Sequence, residues 1–185
     1  LKFARAVASP DPRNASLESV PRIARNQLPT EGIYHVTSRG VAGLPIFGSD
    51  IDRMDFLALL KGIANVSAWE CHAYCLMTTH YHVVIEANRE QISRGMHQLN
   101  GRYAMLFNRR YGRRGHLFES RFSAWVIRDD AHLEATCRYV LDNPARAGLD
   151  TKQPWPWAAL DLYASRRRTS SSVTSAKSSY DRPTA

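Results

Sequence analysis

The chain has 185 residues, 44% hydrophobic and 23% charged, the proportions of a soluble globular protein with room for one domain of ordinary size plus tails. No apolar run approaches a membrane span and residues 1–20 lack the apolar core of a secretory signal, so no membrane role and a cytoplasmic location are expected. The 25 Lys and Arg against 17 Asp and Glu give a net charge of +8, which favours a polyanionic partner, and three cysteines without disulfide-framework spacing agree with a reducing compartment.

Residues 1–29 carry Pro10, Pro12, Pro21 and Pro29 with little periodicity and read as a poorly ordered leader. From Gly32 the pattern sharpens. A first strand runs from Ile33 to Thr37 and ends at the Ser38-Arg39-Gly40 turn. Ser49-Asp50 then caps a first helix over 50–67, in which Ile51, Met54, Leu57, Leu60 and Ala64 recur at helical spacing. Strands over 69–77 and 80–87 pair as a hairpin across Thr78-Thr79. Asn88 and Gln91 form a capping box for a second helix, with Ile92, Met96, Leu99, Tyr103, Leu106 and Phe107 on its apolar face and basic residues on the other. Gly112 and Gly115 break that helix, and 117–127 reads as a fourth strand with a bulge over 119–121.

The order strand, helix, strand, strand, helix, strand is the split βαββαβ of a ferredoxin-like α+β fold with an antiparallel sheet. A third helix begins near Asp129 or Asp130 and stops by Asn143, because Pro144 disfavours a helical residue before it. The domain is therefore expected over 30–150. In 151–185, Trp155 and Trp157 are expected to fold back on the core, ahead of a disordered basic Ser-rich tail that includes Arg166, Arg167 and Arg168.

Two short patterns carry chemistry. In His80-Tyr81-His82 the alternation of a strand sends both imidazoles to one side and Tyr81 to the other, so two good ligands for a divalent metal stand together. A bare His-x-His equally fits a metal-free pair on an edge strand. In the third helix Tyr139 and Asn143 are four apart and share a face, offering a phenol with a carboxamide one turn on. Taken alone, they also fit a partly buried core aromatic and a helix C-terminal residue. Cys71 and Cys75 face one way on their strand and with His80 and His82 would make a zinc site, although the usual close Cys pair is lacking. Arg102, Arg109, Arg110, Arg113, Arg114 and Arg121, interleaved with Tyr103, Phe107, Tyr111, His116 and Phe118, suit contacts to phosphates and unpaired bases. A solvated helix face with core aromatics behind it is the plainer account of that stretch.

Taken together, Tyr74-Cys75-Leu76-Met77, His80-Tyr81-His82, Asn108-Arg109-Arg110-Tyr111-Gly112, Gly115-His116-Leu117-Phe118, Arg121-Phe122 and Tyr139-Val140-Leu141-Asp142-Asn143-Pro144 resemble the single-tyrosine HUH transposases. The REP-associated tyrosine transposases are the most similar branch, and the motifs keep their order over about 32–149. The resemblance implies that His80 and His82 are metal ligands, that Asn143 completes the metal site, and that Tyr139 is the nucleophile. It further implies Mg²⁺ or Mn²⁺ as cofactor, single-stranded or hairpin DNA as partner, and a 5′-phosphotyrosine intermediate. Such transposases act as monomers or as homodimers that exchange the tyrosine helix, and both remain open here. One departure is Thr79, where the family usually has Asn, Asp or Glu; altered loop hydrogen bonding is expected. A catalytically inactive DNA-binding module of the same fold is the alternative. An RNA-binding ferredoxin-like module is disfavoured, since Val83, Val84 and Ile85 stand where that class carries aromatics.

Overall fold

Strand alternation and two capped amphipathic helices build one five-stranded antiparallel sheet in the computed structural model of the chain, which describes residues 29–149 and 153–160. Its elements are β1 (Glu31–Arg39), α1 (Asp50–Val66), β2 (Glu70–Leu76), β3 (His80–Asn88), α2 (Arg89–Arg110), β4 (Ser123–Ile127), α3 (Asp130–Leu141), a single turn α4 (Asn143–Arg146) and β5 (Ala158–Leu160). Both expected caps form: the Ser49 and Asn88 side chains accept backbone N–H groups of the first turn, and Asp52 and Gln91 reach back to the cap N–H groups. The strand order β4-β1-β3-β2-β5 is the ferredoxin-like arrangement with β5 added beside β2. Among the described residues no helix is long and apolar enough to cross a membrane.

The period of two gives the sheet two different faces. Tyr34, Val36, Tyr81, Val83 and Ile85 turn toward α1 and α2 and pack with Phe56, Leu60, Met96, Leu99 and Tyr103 in the main core. On the other face a smaller cluster, Ala73, Cys75, Val84 and Ile127, meets Val140 of α3. Helix α3 thus lies on the face to which β3 presents His80 and His82. Trp157 folds back on the main core and Trp155 on the smaller one, as expected. Val83, Val84 and Ile85 are all fully buried, so these positions present no surface for stacking bases.

Several expectations are corrected. The fourth strand is Ser123–Ile127 alone; 117–122 is a loop, tied to β1 by a bridge between Gly40 and Phe118 and by the Glu119 N–H donating to the Arg39 carbonyl at 2.9 Å. Gly112 and Gly115 both take positive φ and turn the chain before β4. In α1, Ile51 and Met54 are 59% exposed while Asp52 is buried, because the buried stripe runs through Phe56, Leu60, Ile63 and Ala64. Cys71 and Cys75 face opposite ways: the register shifts between Cys71 and Ala73, and this bulge leaves Cys71 in the main core and Cys75 in the smaller one. Of the leader expected over 1–29, residues 1–28 lie outside the described residues, as does the Arg166 to Arg168 stretch.

Gly95 sets how closely α2 approaches Trp69. A Cβ there would stand 2.2 Å from Trp69 Cζ2 and 3.1 Å from Ile63 Cγ2. Gly95→Ala gains about 1 kcal/mol of helix propensity, yet the clash with a buried indole costs more. A net loss of about 2 kcal/mol in urea unfolding is expected.

Candidate active site

On β3, Tyr81 points into the core and donates its hydroxyl to Asn100 Oδ1 at 2.6 Å, which fixes the strand's phase and holds His80 and His82 toward α3. The His80 and His82 rings lie 5.1 Å apart, edge to face. Asp129 caps α3 by accepting from the His132 N–H at 2.8 Å, and the helix brings the Tyr139 ring to 5.9 Å from His82. One chain therefore supplies both motifs. Asn143 opens α4 one turn beyond Tyr139, is 9% exposed, and donates from Nδ2 to the Tyr139 carbonyl at 3.0 Å. With its nitrogen so used, its oxygen is the side-chain atom left to accept a hydrogen bond or to bind a cation.

His35 on β1 completes the group and was missed in the sequence. Its ring meets that of His82 edge to edge, with centroids 5.1 Å apart and planes 19° from parallel, and its Nε2 lies 2.9 Å from His82 Nδ1. It also stands 5.5 Å from Trp125 and 6.0 Å from Tyr139. Thr79 is placed too: its hydroxyl oxygen lies 3.0 Å from His80 Nδ1, so the departing residue still makes a hydrogen bond to the first motif histidine.

Burial governs the charge of these rings. It lowers His82 well below the usual histidine value, helped by the neighbouring His35 and His80, while the Asn143 side chain opposes the shift. Burial lowers His80 to about 4, with Arg39 adding to the effect, and lowers His35 to about 4, with His132 adding. Near neutral pH all three rings are neutral, each with one N–H and one lone pair.

Divalent-metal chemistry fits this donor set. His82 Nε2 is buried without a hydrogen-bond partner, although the Asn143 carboxamide lies beside the ring. An orphaned imidazole nitrogen is costly unless something binds it. Among the described residues no three His, Cys, Asp or Glu side chains are arranged as a metal cluster; a third protein donor beside His80 and His82 would be of another kind, such as the Asn143 oxygen. The Cys₂His₂ zinc reading loses Cys71 to the opposite face, and burial pushes the Cys75 thiol up to about 12, away from the thiolate that zinc requires.

A pH dependence follows. An unfolded histidine takes up its proton near pH 6.5, whereas His35 and His80 resist it to about 4 and burial holds His82 well below the usual value too. The unfolded chain therefore binds more protons in that window, and stability is full above pH 6.5 and lost as the pH falls toward 4. Each ring contributes a slope of up to about 1.4 kcal/mol per pH unit, so urea midpoints measured in chelator should drop steeply between pH 7 and pH 5.

The positive groups divide between two places. Arg39 is in register with His80, and the Arg146 guanidinium sits 4.9 Å over the Tyr139 ring, so two cations flank the histidines and the phenol. Neither was singled out in the sequence. The predicted arginines lie elsewhere, on α2 and the loop after it. Arg102, Arg109, Arg114 and Arg121 are exposed, and Arg113 lies 5.6 Å over the Phe107 ring. Arg121 lines a groove of about 580 Å³ between α2 and the 115–122 loop, with Met96, Asn100 and Phe118. Arg110 instead pairs with Asp52 and Asp55 of α1. Burial raises Asp52, but bonds from Tyr111, Arg110 and the Gly48 and Ser49 N–H groups outweigh it and hold the carboxyl low, so Arg110 ties two helices together.

The sequence matches the family described as "Transposase IS200 like" over residues 31–143, more than half of the chain. No curated protein matches it. Among solved structures it is similar to a REP-associated tyrosine transposase bound to a REP hairpin, with 16% identity, a TM-score of 0.56, and coverage of 69% of this chain and 75% of that one. A putative transposase from Deinococcus radiodurans R1 is also similar, at 15% identity and a TM-score of 0.45, covering 63% of this chain and 93% of that one. The fold is shared with the first of these, and the family match spans every strand of the ferredoxin-like core together with both motifs: the chain belongs to the IS200-like transposases.

Proposed function

We propose that this transposase is a metal-dependent single-stranded DNA endonuclease and strand transferase acting at palindromic repeats or hairpins through a 5′-phosphotyrosine intermediate. The observation that carries the reading is the Tyr139 phenol set against His82, whose Nε2 is buried and without a partner. His80, His82 and the Asn143 oxygen would hold Mg²⁺ or Mn²⁺, which when bound supplies Lewis-acid polarisation and orientation of a phosphate. Tyr139 Oη attacks the phosphorus of a DNA phosphodiester, the bond to the 3′ oxygen breaks, and the phenol's proton is given up as the 3′ oxygen gains one. One phosphate ester replaces another, so no high-energy cofactor enters and the reverse attack by a 3′-hydroxyl rejoins DNA. Arg39 and Arg146, beside His80 and Tyr139, are suited to hold the negatively charged phosphate and to favour the phenolate as it forms.

A hairpin partner is supported by the solved relative, which is bound to one. Arg102, Arg109, Arg113, Arg114 and Arg121 would contact the backbone of such DNA away from the scissile phosphate. The test is denaturing electrophoresis of the protein with single-stranded oligonucleotides from palindromes beside its gene, in Mg²⁺, in Mn²⁺ and in chelator. A metal-dependent covalent protein–DNA band is expected. DNA binding with neither adduct nor cut for any repeat would overturn the nuclease reading in favour of the inactive binding module.

A further inference from the structure

Every ligand imidazole poses a question that its position on the strand does not answer: which of its two nitrogens carries the hydrogen. A neutral ring has one N–H and one lone pair, and only the lone pair binds metal. For His82 the lone pair has to be at Nε2, the buried nitrogen beside Asn143 that has no hydrogen-bond partner. The hydrogen then has to be at Nδ1, and Nδ1 lies 2.9 Å from His35 Nε2.

We propose that His35 is a positioning residue for the metal site: its Nε2 accepts the His82 Nδ1–H and so holds His82 in the tautomer and orientation that leave Nε2 open. This rests on the metal reading above and adds to it a residue outside the two motifs. The opposite arrangement, with His35 donating to His82 Nδ1, would put the His82 hydrogen on a buried nitrogen that has no properly aligned acceptor. The nearly coplanar, edge-to-edge meeting of the two rings restrains rotation of His82 about its Cβ–Cγ bond, and Trp125 on the far side keeps His35 in place. The device is built into the sheet. His35 pairs with Val84 and His82 pairs with Thr37, so the two histidines are diagonal neighbours on adjacent strands and on the same face. A partner on the second nitrogen of a ligand histidine fixes its tautomer and raises its basicity, and its loss typically weakens metal binding about 10- to 100-fold.

The experiment has two arms. Long-range ¹H–¹⁵N correlation spectra of the metal-free wild type read the His82 tautomer directly, and Mn²⁺ titration followed by electron paramagnetic resonance reads affinity in wild type, His35→Phe and His35→Gln. Phe keeps an aromatic ring of similar bulk without an acceptor, whereas Gln supplies an amide oxygen in its place. Expected are the Nδ1–H tautomer in wild type, a Mn²⁺ dissociation constant raised about 10- to 100-fold in His35→Phe, and most of that loss recovered in His35→Gln. An Nε2–H tautomer in wild type overturns the proposal, and that measurement stands even if a variant fails to fold. Unchanged affinity in His35→Phe, or no recovery in His35→Gln, overturns it as well and leaves the metal reading intact. Wild type that binds no Mn²⁺ overturns the metal reading itself, and the inference falls with it.

Discussion

Tyr139→Phe is expected to abolish the covalent protein–DNA adduct and strand cleavage while leaving hairpin affinity within about twofold of wild type. The two results come from different parts of the molecule. The hydroxyl is the only atom removed, and no other hydroxyl is placed by the described contacts to take over as nucleophile against His82. Losing a covalent nucleophile leaves only what positioning and electrostatics give, so a fall of at least about a thousandfold in cleavage is expected. On the proposed reading, DNA affinity would rest mainly on phosphate contacts from the exposed arginine side chains of α2 and the loop after it, which the substitution does not touch. The ring survives too, so the edge contacts to His35 and His82 and the Arg146 guanidinium over its face are kept. Quantitative gel shift beside denaturing electrophoresis checks both halves. Cleavage at wild-type rate would remove Tyr139 from the chemistry, whereas joint loss of binding and cleavage would mean that the phenol matters to the fold or to docking.

Local signals in the sequence carry most of this fold and half of this site. The capping residues Ser49 and Asn88 and the breakers Gly112 and Gly115 are local, and each lies where it was read; α3 also ends before Asn143, but Pro144 does not keep the residue before it out of a helix, since Asn143 opens the turn α4. The phase of β3 was legible because His80 and His82 flank an aromatic that has to be buried. What failed was non-local. Nothing in Glu70 to Leu76 marks the bulge that sends Cys71 and Cys75 to opposite faces, since a bulge is a property of pairing with β3. Asp52 reads as a polar capping residue, and its burial depends on Tyr111 and Arg110, more than fifty residues away. Residues 158–160 carry no alternation long enough to announce β5, which exists because Trp155 and Trp157 anchor the chain beside β2.

His35 shows why the other half of the site was hidden. On its strand it reads as one polar residue between the core positions Tyr34 and Val36, an ordinary solvent-facing partner. Only the register of β1 on β3, and the arrival of α3 over that face, turn it into a half-buried imidazole against His82. Arg146 is similar. Two residues beyond Pro144 it looks like loop charge, and α4 folds it back over Tyr139.

His82→Ala is the complementary experiment, and its signature differs from that of Tyr139→Phe. Of the three proposed donors, His80 and the Asn143 oxygen would remain, but they come from separate elements, and the nitrogen between strand and helix would be gone. Mn²⁺ affinity should fall at least about a hundredfold, and cleavage should drop to the background that Tyr139→Phe leaves. Because ligand and nucleophile serve one step, the double variant should be no worse than either single, a non-additivity that independent roles would not produce. Stability adds an independent check. Removing a buried ring opens a cavity costing about 2 kcal/mol at pH 7.5. The same change removes one of three imidazoles that exclude protons in the folded chain, so the further loss between pH 7 and pH 5 should be smaller than in wild type. A variant less stable at pH 7.5 yet less acid-sensitive would tie the orphaned nitrogen, the metal affinity and the proton balance to the same side chain. If its acid sensitivity instead matches that of wild type, His82 carries no buried-neutral penalty, and the electrostatic account of the site fails at its central residue.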